Sequence, residues 1–145
     1  MSKDIRLSLF SFLMADSGIY AAVEGNKTRQ QGGSRIFPIK IPQGVNAASI
    51  VYTRISGAGI YHMGGPSGLA MPRYQIDAWA PKVDDATTLA NLIKIRIDGF
   101  QGVMGSGLAA VKVQGVFLLD EREDYDDTVK LHRVSRDYAI DFEEA

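Results

Sequence analysis

The chain of 145 residues contains no cysteine and only two histidines, His62 and His132. Without cysteine it can form neither a disulfide bond nor a thiolate metal site, and it has no cysteine nucleophile. Neither histidine has a second histidine or an HExxH-like pattern nearby. We therefore predict no catalytic residue, no metal site and no cofactor, and we expect the protein not to be an enzyme.

A strong charge of one sign is also lacking, since 16 basic residues face 17 acidic ones. A domain that binds DNA must neutralise many phosphates, so DNA binding is disfavoured as the main function. The longest apolar stretches, such as residues 7–15, are interrupted by serines. They are shorter than the roughly 20 residues that span a bilayer. The N-terminus has an amphipathic pattern unlike a signal peptide, and we interpret it as part of the fold.

Two segments have the apolar spacing of amphipathic helices. The first is predicted at the N-terminus from Ile5, Leu9, Phe12 and Leu13, which recur at helical intervals. The second begins near Pro81 and ends at Gly99, with acidic residues in its first turns and basic residues in its last. Its predicted core face consists of Ala86, Leu89, Ala90, Ile93 and Ile97. A short helical turn is expected at residues 19–23.

Strands are predicted at residues 35–39, 50–55 and 73–79. In the third of these, Tyr74, Ile76 and Ala78 alternate with polar residues, which is typical of a sheet with one wet face. Later in the chain Val111, Val113, Phe117 and Leu119 share one parity, and Gly115 is a candidate for a bulge or for a close backbone approach. The last strand is predicted from Val134, Tyr138, Ile140 and Phe142.

This order of elements predicts the fold class α+β. Residues 1–145 are expected to form a single domain, in which an antiparallel sheet of about five strands carries two main helices on one face. Apolar residues make up 46% of the chain and charged residues 23%, which is ordinary for a folded domain of this size.

The sequence predicts loops or turns in four remaining segments. Residues 25–34 and 99–107 are rich in glycine, and so are residues 57–68, which contain Tyr61, His62 and Met63. Long glycine-rich loops are either disordered or functional, and residues 57–68 could become ordered on contact with another subunit. The acidic residues 120–127 lack the glycine of a calcium loop. We interpret them as a solvated turn.

Seven short motifs are spread over nearly the whole chain. They are 35–38 (RIFP), 51–57 (VYTRISG), 68–69 (GL), 73–80 (RYQIDAWA), 97–102 (IDGFQG), 121–126 (EREDYD) and 134–138 (VSRDY). Together and in this order they resemble the signature of the phage tail completion proteins. Residues 27–34 and 102–109 depart from that pattern because both loops are longer than usual.

The resemblance implies a small structural protein without catalytic residues. Such proteins join the tail tube after its length is set, form a ring that is expected to be six-fold, and present a surface to the head. The implied partners are other copies of the chain, the tail tube protein and a head-completion or connector protein. DNA would only pass through as cargo, and no membrane is involved. The implied location is the virion tail, assembled in the cytoplasm of the host bacterium.

A closed ring needs two different patches on each copy. Our candidates for these interface residues are Tyr61, His62, Met63, Arg122 and Tyr125, all predicted at loop tips. Alternative interpretations are another ring component of the neck or tail tube, a small cytoplasmic ligand-binding domain, and an unusual hydrolase that uses carboxylates.

Overall fold

The structure is a computed structural model that describes residues 5–24, 35–41, 47–56, 59–62, 65–105 and 110–143. Within these residues the helices are α1 (Ile5–Met14), α2 (Ser17–Glu24) and α3 (Val83–Ile97). The strands are β1 (Ile36–Pro38), β2 (Ser49–Ser56), β3 (Gly59–His62), β4 (Gly65–Ala70), β5 (Arg73–Ala80), β6 (Gly102–Met104), β7 (Val111–Asp126) and β8 (Leu131–Glu143).

The described strands form one mixed sheet in which β8 is central. It pairs antiparallel with β5 on one side and with β7 on the other. β2 and then β1 continue the sheet beyond β5, and β6 pairs with the start of β7. The hairpin of β3 and β4 is attached to the far end of β8, where Ala70 lies opposite Phe142.

The predicted α+β class is confirmed, but the predicted antiparallel sheet of about five strands is wrong in two respects. The described part of the chain contains eight strands, and β1 runs parallel to β2. The extra strands β3, β4 and β6 lie in glycine-rich segments for which the sequence predicts loops, because glycine carries no side chain to show an alternation. A third helix, α2, extends the predicted helical turn to eight residues.

Helix α3 is the element that the sequence predicts best. Its buried residues are the five predicted ones. Its acidic first turn and basic last turn both complement the helix dipole. Gly99 follows with a φ of 77°, and its N–H donates to the carbonyl of Val116 at 2.9 Å. The helix ends here because glycine adopts this left-handed conformation without steric cost.

The predicted one-face pattern of β7 is wrong in its second half. The register with β8 shifts between Val113 and Gly115, which confirms the candidate bulge at the glycine. One extra residue reverses the alternation, here as far as a second register shift between Leu118 and Asp120. Val116 is therefore buried, while Phe117 and Leu119 are 51% and 49% exposed.

The predicted turn at residues 120–127 is also wrong, because β7 continues as a strand to Asp126 and the turn follows at residues 127–130. The carboxylates in this part of β7 are paired across the sheet. Glu121 lies 3.2 Å from Arg136, and Asp124 hydrogen-bonds Arg133. These pairs allow a strongly acidic sequence to remain in a strand.

The helices cover one face of the sheet, and arginines join the layers. Arg136 of β8 donates to the carbonyl of Ala90 at 2.9 Å and to Oδ1 of Asn91 at 3.0 Å, so it fixes β8 against α3. Arg96 of α3 donates from Nε to the backbone carbonyl of Phe12 at 3.0 Å. Its guanidinium carbon lies 3.8 Å from the centre of the Phe12 ring. This contact holds α1 against α3.

The two isoleucines of α3 provide a matched test of this layering. Ile93 is 2% exposed and Ile95 is 81% exposed. We expect Ile93→Ala to lower the free energy of unfolding by about 3 kcal/mol, because it leaves a cavity between helix and sheet. Ile95→Ala should change it by less than about 0.5 kcal/mol. Urea denaturation followed by circular dichroism measures both, and equal losses would contradict the assigned helix face.

Candidate functional site

The face of the sheet opposite the helices carries a network of charged and amide side chains. Arg136 contacts α3, and side chains alternate between faces along a strand, so the odd-numbered residues of β5 and β8 face away from the helices. We call the following set from β5, β7 and β8 the polar face: Arg73, Gln75, Asp77, Asp120, Arg122, Asp124, Arg133, Ser135 and Asp137.

Asp137 is buried at the centre of the polar face, with 2% of its surface exposed. Its Oδ2 accepts a hydrogen bond from Nη2 of Arg73 at 2.7 Å, and its Oδ1 accepts one from Nη2 of Arg122 at 3.0 Å. Burial by itself raises the pKa of this carboxyl, but the hydrogen bonds and charges of the two arginines outweigh burial and lower the pKa of Asp137. The ionised form therefore stabilises the fold at neutral pH.

Asp77 lies on the same face and is 4% exposed, but its hydrogen bonds come from neutral groups. Nε2 of Gln75 lies 3.0 Å from each of its carboxylate oxygens, and Ser135 is a further hydrogen-bond partner. The guanidinium of Arg133 is 3.9 Å away, beyond hydrogen-bond distance. Burial raises the pKa of Asp77, and the hydrogen bonds and nearby charges offset this only in part.

Arg133 is directed mainly towards Asp124. Its Nε donates to Oδ1 of Asp124 at 2.9 Å, and its Nη2 donates to the other carboxylate oxygen. The hydrogen bonds that Arg133 donates to Asp124 raise the pKa of Arg133. The guanidinium also lies 5.2 Å from the ring centre of Trp79. Arg133 is therefore paired more closely with Asp124 than with Asp77.

A cleft of about 420 Å³ lies beside Asp77 on this face. Its apolar lining is Ile39, Ile41, Val51, Trp79 and Val129, and its polar lining is Lys40, Thr53, Gln75, Asp77, Asp126 and Arg133. The loop after β1, strands β2 and β5, and the turn between β7 and β8 all contribute to it. The cleft therefore combines apolar walls with a buried carboxylate.

The sequence from residue 8 to residue 142 matches the family model of the tail completion protein gp17. The chain belongs to this family. Its members are structural components of the virion tail and not enzymes. The chain is accordingly a structural protein of a phage tail, located in the virion, and the resemblance seen in the sequence motifs is confirmed.

One solved structure with a similar fold is a chain in the virion of a native gene transfer agent (GTA) particle. The two share 14% sequence identity with a TM-score of 0.69, and the alignment covers 93% of this chain and 91% of that chain. At this identity the likeness concerns the fold alone. A search of the curated proteins finds no match in sequence.

Two of the predicted interface residues lie in the hairpin of β3 and β4. Tyr61 is opposite Pro66 and His62 is opposite Gly65, at the end of the hairpin remote from β8. Met63 lies outside the described residues. The backbones of Tyr61 and His62 therefore lie at the end of strand β3, and their role at an interface stays a prediction.

Arg122 and Tyr125 both lie in β7, so the predicted loop-tip position is wrong for Arg122. Arg122 is opposite Ser135 and belongs to the polar face, whereas Tyr125 is opposite His132 on the other side of the sheet. The rings of Tyr125 and His132 are 4.7 Å apart. The structure does not bring Arg122 and Tyr125 onto one surface.

Sequence reasoning missed Asp77 and Asp137 as candidate residues. A signal was present, since the alternation in β5 placed Asp77 on the face opposite Tyr74 and Ile76. That pattern indicated a wet face and gave no sign that Asp77 would be buried. Its burial depends on β8, whose Ser135 lies opposite Asp77.

Two further kinds of site are absent from the part of the chain that the structure describes. No described helix is long and apolar enough to cross a membrane. No group of three or more histidine, aspartate or glutamate side chains in the described ranges could hold a metal ion.

The exchange Asp137→Asn tests the polar face. It weakens the charge-assisted hydrogen bonds that Arg73 and Arg122 donate to this carboxylate, and we expect a loss of about 2 kcal/mol in the free energy of unfolding. The loss stays below that of a fully buried ion pair because the side chains of Arg73 and Arg122 are 39% and 45% exposed and can be solvated. Asp120→Asn, at an exposed position on the same face, should cost less than about 0.5 kcal/mol.

The difference in stability between the wild-type protein and Asp137→Asn should depend on pH. The pKa of Asp137 in the folded protein lies below its usual value of 3.8. Its stabilising contribution is complete above that value and is lost as the pH falls through the lower, folded pKa. Urea denaturation of both proteins should show a difference that is constant near neutral pH and shrinks below pH 3.8. A difference that persists in full at lower pH would contradict this assignment.

Proposed function

We propose that the chain forms a closed ring of six identical copies at the head-proximal end of the tail tube. There it completes the tail and provides the surface that joins the tail to the head. The partners are neighbouring copies, the tail tube protein and a head-completion or connector protein, while DNA passes through as cargo. Membership of the tail completion family is the observation that carries this proposal.

The placement of the candidate residues supports the ring. A closed ring needs two different patches that meet between neighbouring copies. The β3 and β4 hairpin is attached near Phe142 of β8, whereas Tyr125 lies opposite His132. These positions on β8 are roughly 33 Å apart at 3.3 Å per residue. Patches at opposite ends of the sheet leave each copy free to contact a neighbour on either side.

Electron microscopy of tails made with and without the protein tests the proposed position. With the protein, we expect a ring of density at the head-proximal end of the tube. Without it, we expect overlong tails or tails that lack heads. Density elsewhere along the neck or tube would favour another ring component, and normal particles formed without the protein would contradict the proposal.

Two substitutions test the proposed patches. Tyr125→Ala and Met63→Asp should each reduce the yield of completed tails at least about tenfold, because an aromatic or apolar contact residue contributes about 2 kcal/mol at each interface. Tyr125 is 46% exposed, so its replacement should leave the folded protein intact. Plaque counts measure the yield of completed tails, and thermal melting shows whether each variant is folded.

Ile95→Ala serves as the control, because it removes an exposed apolar residue of α3 away from both patches. It should complete tails at the wild-type yield. If folded Tyr125→Ala and Met63→Asp proteins do so as well, the patches are wrongly assigned.

A further inference from the structure

The two buried carboxylates of the polar face are neutralised in different ways. Asp137 accepts hydrogen bonds from two arginines, whereas Asp77 accepts them from neutral groups and has Arg133 at 3.9 Å. A buried carboxylate without a hydrogen-bonded cation is unfavourable unless it has another role. Among the described residues, none supplies that cation to Asp77 at hydrogen-bond distance.

The cleft beside Asp77 has the shape and chemistry that a long cationic side chain requires. Such a side chain buries its aliphatic stem against apolar surface and keeps its charged head at a polar group. Ile41, Val51 and Trp79 supply the apolar surface, and Asp77 supplies the carboxylate. An arginine head can also stack on an aromatic face such as that of Trp79.

The charges that line the cleft favour a cation. They are Lys40, Asp77, Asp126 and Arg133. Because Arg133 is bound by Asp124, two carboxylates face one remaining cation. The carboxylate of Asp77 would repel an incoming anion. An incoming cation would instead give Asp77 the hydrogen-bonded positive charge that the single chain does not provide.

We propose that this cleft receives an arginine or lysine side chain from a second copy of the chain, and that the charged head of this side chain pairs with Asp77. The inference rests on the proposed ring. In a closed ring of identical copies each cleft meets the same surface of its neighbour, so one cationic residue of the chain occupies every cleft.

A binding experiment on the purified protein tests the cleft without requiring a ring. N-acetyl-arginine amide is titrated into the labelled protein while the indole N–H of Trp79 and the amide of Thr53 are followed by NMR. We expect saturable shifts that are absent with N-acetyl-norleucine amide and weakened at least about tenfold in Asp77→Asn. Asp120→Asn should bind as the wild type does. Absence of saturable binding, or equal binding by Asp77→Asn, overturns the proposal.

The melting temperature of Asp77→Asn separates this role from a purely structural one. Burial raises the pKa of Asp77, so its charge opposes folding at neutral pH and its removal should leave the melting temperature unchanged or higher. A fall of more than about 4 °C would show that Asp77 mainly holds its own fold and would count against the proposal.

Crosslinking in assembled tails identifies the occupant. Val129 lines the cleft and is 43% exposed, so p-benzoylphenylalanine at this position can report on what enters. We expect ultraviolet light to give a covalent dimer of this chain, strongly reduced when Asp77→Asn is added and unchanged with Asp120→Asn. A product with another tail protein, or no product in tails that show the ring, overturns the proposal. Binding of the arginine probe without a ring in electron microscopy would instead refute the proposed function.

Discussion

Strand β8 is hydrogen-bonded on both edges and its residues 134–140 are buried, and the rest of the structure depends on this enclosure. Polar groups buried in this way must find partners within the protein. Arg136 finds them at Ala90 and Asn91, in the middle of α3. On the other face, Asp137 requires Arg73 from β5 and Arg122 from β7. The charges of three neighbouring strands thereby help to fix the register of the sheet.

The two buried carboxylates of the polar face are compensated in different ways. At Asp137 the single chain supplies the compensating charge, so folding alone makes the site stable. At Asp77 the hydrogen bonds come from neutral donors and the nearest cation, Arg133, is 3.9 Å away, so under our proposal the ring would supply a closer one. An assembly protein gains from this division, because the interaction that favours assembly is not already satisfied in the free subunit.

The sequence predicted the elements whose signals are local. Helix α3 could be delimited by residues at its two ends, and β5 by a clean alternation. The second half of β7 could not, because register shifts between Val113 and Gly115 and again between Leu118 and Asp120 each reverse the pattern, and no period of two reveals them. The buried pairing of Asp77 depends on Ser135, far along the chain, and the alternation alone could not show this contact. The family was recognisable because its motifs occur in order over most of the chain.

The acidic run of β7 has a consequence for how newly made copies behave. Apart from β6 at the start of β7, no described strand pairs with the outer edge of β7. An open edge with exposed apolar residues such as Phe117 and Leu119 is a template for uncontrolled strand addition and aggregation. The carboxylates farther along the same strand repel an identical edge. Charged side chains in an edge strand disfavour the addition of a second, identical strand.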